Sequence, residues 1–273
     1  TMIRQMITHD DITQLPKIRF TGFSDIKPMP GAELIEALAD SYHHVGLDDT
    51  IVVTRSNKRA NIFNQGIRNM VLDREEELSQ GDILMIVKNN YYWMEEERKK
   101  MKEKDNQVPS NEIPAFLANG DRAKVLKVRR RIDLYGFRFA TLLLQFPDYG
   151  NYELEAAVLL DTLTSEAPAL THEQQEQLFH QIEEDYQDVP LKADRMKAIR
   201  QDQFYNALQV KFAYAVTCHK AQGGQWAHVY VDQGYMTDDM LTPDYIHWLY
   251  TAFTRATEML YLVNWPETQI ETS

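Results

Sequence analysis

The sequence predicts a parallel α/β sheet flanked by helices, with a small β-barrel inserted into it. Three observations carry that reading. Compact apolar strands alternate with helical periodicity in the first part of the chain. A middle stretch of about 80 residues then shows several short strands and no long helical pattern. Strand–helix alternation returns near the C-terminus, so one α/β domain is split around an insertion.

Arg19 to Phe23 reads as a short strand, and Pro28 to Gly31 as a loop. Ile35, Leu38, Ala39 and Tyr42 recur at helical spacing. Thr50 to Thr54 is a compact strand, succeeded by a helix with Phe63, Ile67, Met70 and Val71 on one face. The style changes near Ser79. Gly81 to Val87, Val125 to Val128 and Phe137 to Phe146 read as strands, and Asn119-Gly120 as a turn. Thr171 and Gln174 form a capping box, with Leu178, Ile182 and Tyr186 on one face of the helix it opens. A second helix is expected from about Lys192 to Ala207. Phe212 to Thr217 and Val229 to Asp232 are strands, Pro243 opens a helix bearing Ile246, Leu249, Tyr250 and Phe253, and Met259 to Val263 is the last strand. The expected domains are 1–78 (sheet, first part), 79–165 (barrel), 166–208 (helical connector) and 209–273 (sheet, second part).

Composition excludes several classes. With 44% hydrophobic and 26% charged residues the chain is an ordinary globular one, not a disordered one. Its longest apolar runs, such as Ala156 to Leu160, fall far short of the ~20 residues a membrane span needs. The single cysteine, Cys218, forms no internal disulfide and no zinc cluster, so no metal site and a reducing cytoplasm are expected. The net charge of −12 argues weakly against nucleic acid, but charge is unevenly spread. Arg122 to Arg138 holds seven basic residues against one acidic, and Glu166 to Asp188 holds seven acidic residues with no Lys or Arg. The basic run either contacts phosphates or pairs with the acidic helix.

Two segments carry chemistry. Tyr214 to Gln225 (YAVTCHKAQGGQ) is an apolar strand entering a polar, glycine-containing loop, the kind that binds ligands at the C-terminal edge of a parallel sheet. Gly223 and Gly224 permit close backbone approach, and Thr217, His219 and Lys220 offer donors to phosphate oxygens. The bland alternative is a strand-to-helix turn. Trp248 to Arg255 (WLYTAFTR) sets His247, Thr251, Thr254, Arg255 and Glu258 opposite the apolar stripe, so Arg255 projects from the core toward a phosphate, or else pairs on the surface. At Thr54-Arg55-Ser56-Asn57 a strand becomes a helix, whose free amides attract phosphate while Ser56 or Asn57 caps it; Arg55, Lys58 and Arg59 add charge. Tyr91, Tyr92 and Trp93 either stack on bases or fill the barrel core.

Together these segments resemble motifs V and VI of superfamily 1 helicases, as T-x-H-K-x-Q-G and Y-T-A-x-T-R-A about thirty residues apart. Thr54 to Asn57 is similar to the surroundings of motif IV. Gly81-Asp82, Lys88 to Tyr91 and Asn119 to Asp121 resemble the SH3-like insertion of RecD-like enzymes. The resemblance implies a second RecA-like domain with an SH3-like barrel, from the C-terminal half of an ATP-dependent DNA helicase. It implies Arg255 as the arginine finger, an ATP cleft with Gln222, Gly223, Gln225 and Arg255, and a single-stranded DNA contact through Thr54, Arg55, Ser56, Asn57, Thr217, His219 and Lys220. Gln225 stands where UvrD-like relatives carry a glutamate toward the ATP sugar.

No glycine begins the phosphate-binding pattern G-x-x-x-x-G-K-[ST], and Asp48-Asp49 precedes its strand instead of ending one. The resemblance therefore implies that ATP and Mg²⁺ are held mainly by a first RecA-like domain missing from this chain, which alone is expected to be inactive as an ATPase. The expected partners are single-stranded DNA and that missing domain, with no membrane. A non-catalytic helicase-like module binding nucleic acid or protein is the alternative.

Overall fold

The computed structural model describes residues 2–9, 14–103 and 114–271. Contacts divide the chain into two compact units, 1–75 with 214–273, and 76–213. The first unit begins with α1 (Met2–His9), β1 (Ile26–Met29), α2 (Leu34–His44), β2 (Thr50–Thr54) and α3 (Asn57–Gly66), which runs into a π-helical turn at Ile67–Val71. The second holds β3 (Ile83–Ile86), α4 (Tyr92–Glu103), β4 (Arg122–Leu134), β5 (Phe137–Phe146), β6 (Tyr152–Leu159), α5 (His172–Asp185), α6 (Lys192–Arg200) and β7 (Leu208–Phe212). The chain re-enters the first unit with β8 (Ala215–Thr217), α7 (Cys218–Ala221), β9 (Trp226–Asp232), α8 (Pro243–Phe253) and β10 (Ala256–Val263).

The first unit is built on one parallel sheet in the order β1-β10-β9-β2-β8. Helical crossovers cover both faces of such a sheet, so its inner strands read as continuous apolar runs. All five residues of β2 are accordingly buried. The first strand is Ile26–Met29, not Arg19 to Phe23, and it includes Pro28 of the expected loop. Proline has no N–H to give to a ladder, and β1 is an edge strand paired with β10 alone, where that loss is tolerated.

The opposite edge is the three-residue β8. Asn64 of α3, only 2% exposed, completes it. Its Nδ2 donates to Ala215 O at 2.9 Å and its Oδ1 accepts from Ala215 N–H at 2.7 Å. A side-chain amide thus does for one residue what a sixth strand would do. Past Gly66 the expected apolar face of α3 breaks. The π turn inserts an extra residue, which rotates the rest of the helix about its axis; Ile67 and Arg68 are buried and Met70 is exposed.

The second unit is a closed five-stranded barrel, β3-β4-β5-β6-β7. Sequence reading leaves β6 unassigned, because it alternates only over its first half and is then continuously buried. It also runs one strand from Phe212 to Thr217. Two strands occupy that stretch, β7 ending in the barrel and β8 beginning in the sheet. Every residue from Leu208 to Val216 is buried, so polarity gives no mark of the crossing. The charged stretch from Glu95 is helical in α4 as far as Glu103, with Lys99–Glu96 and Lys100–Glu97 pairs at 2.6 and 2.8 Å; Lys104 lies outside the described residues. The capping box forms as expected, Gln174 N to Thr171 Oγ1 at 3.2 Å and Thr171 N to Gln174 Oε1 at 3.0 Å. Helix α6 stops at Arg200, short of Ala207, where Asp202 accepts from the amides of Phe204 and Tyr205 and turns the chain. Trp93 is buried and its indole donates to Asn206 O at 2.9 Å, while Tyr91 is 53% exposed and stacks on Phe116. No helix among the described residues is long and apolar enough to cross a membrane.

Replacing Asn64 with Ala leaves the buried N–H and C=O of Ala215 without partners. The expected loss is about 2–4 kcal/mol of unfolding free energy, measured by urea titration. A loss within experimental error would mean that β8 does not depend on this amide.

Candidate functional site

Parallel pairing fixes two chemically distinct edges. Thr54 lies level with both Thr217 and Asp232, at the C-terminal ends of β2, β8 and β9. Trp226 lies level with Ala256, at the N-terminal ends of β9 and β10. Strand β9, seven residues long, separates the two edges by about 20 Å.

The C-terminal edge gathers Thr54 to Asn57, Thr217 and the start of α7. Thr54 is fully buried, and its hydroxyl donates to Ser56 O at 3.0 Å and Val216 O at 3.4 Å. It shapes the turn and faces no solvent. Ser56 caps α3, its Oγ accepting from Arg59 N–H at 3.2 Å, and Asn57 begins the helix half-buried. Arg55 is exposed, with its guanidinium 5.4 Å from the ring centre of Tyr245. Arg59 adds no free charge here: it grips the buried carboxylate of Asp232 at 2.8 and 2.7 Å. Thr217 is half-buried, His219 is exposed, and Lys220 is half-buried, with its ammonium pKa lowered by desolvation.

The N-terminal edge gathers Gln222 to Gln225 and Arg255. The Tyr214 to Gln225 segment therefore does not lie wholly at the ligand-binding edge, as its pattern suggests. It starts at one edge with Thr217 and reaches the other at Gln225, through the single turn of α7. Arg255 departs from its expected place on the helix and takes the pairing alternative, with Thr251. Helix α8 ends at Phe253 with Thr254 as its C-cap, so Arg255 lies in the turn before β10. Its guanidinium folds back on the helix end. Nε donates to Thr251 O at 3.0 Å, one terminal nitrogen to Gly224 O at 3.0 Å and the other to Thr254 Oγ1 at 3.1 Å. Those bonds use three of its five N–H donors. Its backbone carbonyl accepts from Trp226 N–H at 2.9 Å, which clamps the loop to the turn.

The two glycines of the loop differ. Gly223 has φ +85° and open space where a Cβ would project. A Cβ on Gly224 would lie 2.3 Å from the Trp226 ring. Gly224 is therefore required by packing. Gln222, Gly223 and Gln225 are exposed.

A cleft of about 480 Å³ runs beside α8, with Arg55 and His219 among its lining residues, and with Gln222 and Thr251 also on its wall. Tyr245 and Trp248 stack within it, ring centres 6.0 Å apart. The Tyr245 hydroxyl donates to buried Gln233, and burial raises its pKa. Cys218 also lines the cleft. Its thiol donates to Trp248 O at 3.6 Å, and burial pushes it up to about 11 against the lowering effect of Arg255. Asp232, Tyr245 and Trp248 are absent from the residues that the sequence singles out. The i, i+3 spacing of the two rings on α8 is a usable signal for the pair.

Gly224→Ala should destabilise the protein by about 1–3 kcal/mol, because the indole of Trp226 must move; an unchanged thermal midpoint would contradict that packing. Native Cys218 should react with iodoacetamide at neutral pH at least about a hundredfold more slowly than in urea, since few thiolates form and access is poor. Equal rates would contradict its burial.

Residues 212–263 match the family model of the UvrD-like helicase C-terminal domain. No curated protein matches the sequence. Among solved structures the chain is similar to the Pif1 helicase from Candida albicans, with 13% identity and a TM-score of 0.39, over 82% of this chain and 47% of that one. The chain thus spans about half the length of that relative. The matched stretch contains β8, α7, β9, α8 and β10, so this part of the chain is similar to a UvrD-like helicase C-terminal domain.

Proposed function

We propose that this chain is the C-terminal motor half of an ATP-dependent DNA helicase of the RecD-like type. The observation that carries the reading is the family match over 212–263, laid on a sheet that sets Arg255 and the Gln222–Gln225 loop at one edge and Arg55, Thr217 and His219 at the other. Bound ATP and Mg²⁺, held mainly by a first RecA-like domain, supply the phosphoryl group and the metal that neutralises it. At the N-terminal edge, Arg255 keeps two N–H donors beyond its bonds to Thr251, Gly224 and Thr254. That suits a guanidinium that stabilises charge as it develops on a phosphate offered from another domain. Exposed Gln222 and Gln225 flank it and orient the nucleotide. At the C-terminal edge, the amides that open α3, together with Arg55, His219 and Lys220, hold the backbone of single-stranded DNA without reading its sequence. The segment from Thr217 to Gln225 and the crossover through α8 run between the edges and couple them.

A non-catalytic module that binds nucleic acid or protein is a second reading, favoured by the net charge of −12. One experiment separates the two. The chain alone should show no DNA-stimulated ATP hydrolysis, and joining it to its first motor domain should restore it. In that joined protein Arg255→Ala should lower kcat by about 10³-fold or more while leaving DNA affinity nearly unchanged. A full rate after the substitution would refute the finger, and no activity in the joined protein would favour the module.

A further inference from the structure

The second unit carries a row of cations that the motor reading does not use. Strands β4 and β5 pair antiparallel, but their register slips twice, between Val125 and Lys127 and between Val128 and Arg130. Each slip inserts one extra residue on β4, first Leu126 and then Arg129. In a regular strand residues three apart point to opposite faces. With the two bulges Lys124, Lys127 and Arg130 fall opposite Gln145, Leu143 and Thr141, every second residue of β5 and hence one face. The intervening Leu144 and Leu142 are buried in the barrel, so the cations stand on its outside, about 7 Å apart.

The other cations of this run are engaged. Arg129 pairs with Glu155 at 2.5 Å, Arg131 with Glu76 at 3.9 Å, and Arg138 with Glu77 and, at 3.3 Å, with Asp161. None of these partners lies on acidic α5. Among the described residues Lys124, Lys127 and Arg130 have no carboxylate partner, and Lys127 and Arg130 are exposed. Across β5, Glu155 is matched by Arg129, and Glu153 sits two strands away, opposite Gln145.

We propose that Lys124, Lys127 and Arg130 form a track on the barrel's outer face for the phosphate backbone of a single-stranded nucleic acid. A line of single cations at a constant interval suits a chain with one charge per nucleotide, and no aromatic ring interrupts the row to stack on bases. The contact is therefore sequence-independent and salt-sensitive. Only the choice of ligand rests on the helicase reading. Lys127 and Arg130 also lie beyond the pairing of β4 with β3, which ends at Lys124, and cations there would equally deter edge-to-edge aggregation.

The test is the salt dependence of binding to fluorescein-labelled oligo(dT), read by anisotropy on the full chain. The triple variant K124Q/K127Q/R130Q should bind roughly tenfold more weakly at low salt and lose about 2 from the slope of log K against log salt, about 0.7 per phosphate contact. Lys127→Gln alone should lose about 0.7, and K124R/K127R/R130K should keep the wild-type slope. R129Q/R138Q, which removes engaged cations, should change the slope little. A triple variant that stays folded by circular dichroism and keeps the wild-type slope overturns the proposal. So does a variant that only aggregates, with affinity unchanged in its monomeric fraction, and so does polyglutamate binding in place of oligo(dT). No binding of oligo(dT) by wild type at low salt overturns this proposal and the DNA track together. If R55A/K58A loses slope and the triple variant does not, the row fails and the helicase reading stands. If only the triple variant loses slope, the row stands and the track on the sheet fails.

Discussion

All five strands of the sheet run the same way, and most of what this chain can do depends on that direction. Hydrogen bonding between parallel strands forces every connection to travel back across the sheet before the next strand can begin. Each crossover therefore joins the two edges. The segment from Thr217 to Gln225 is such a return, and so is the one from Asp232 through α8 to Arg255. Because the pairing sets Thr54, Thr217 and Asp232 level, polar groups with no neighbour in the sequence converge at one edge. The same pairing puts the Gln222–Gln225 loop beside Arg255, joined by the Trp226-to-Arg255 and Arg255-to-Gly224 bonds. A single packed layer thus presents two polar edges about 20 Å apart.

The C-terminal edge and its surroundings are held by buried polar contacts. Asp232 and Arg59 lock the start of α3 to the end of β9, which fixes the helix amides and removes one cation from the surface. Asn64 closes the exposed side of β8. The Cys218 thiol, donating to Trp248 O, ties α7 to α8 along the cleft. Breaking a buried ion pair or amide bridge costs more than forming it gains. These contacts therefore act chiefly to hold one arrangement of the loops.

Much of this is legible in the sequence. The run TIVVT, the apolar run from Phe137 to Phe146 and the Thr171–Gln174 box each carry a local signal, and the structure has them where the signal puts them. The combination of TxHKxQG and YTAxTR points to the family that the match over 212–263 supports. The features that escape are set by partners distant in sequence. Nothing near Pro28 says that its strand lies at an edge. The uniformly buried stretch from Leu208 to Val216 hides the step from barrel to sheet. The two bulges of β4 turn a run that alternates on paper into a one-sided row. Arg255 looks like a surface residue on a helix, but that helix ends two residues earlier and its free carbonyls draw the guanidinium back.

Hydrogen–deuterium exchange with and without oligo(dT) tests the separation of the two edges. DNA should slow exchange in peptides covering 54–58 and 217–219 and leave those covering 222–225 and 254–256 unchanged. Protection confined to the Gln222–Gln225 loop and the Arg255 turn would refute that separation, because the nucleic acid would then occupy the edge proposed for the nucleotide.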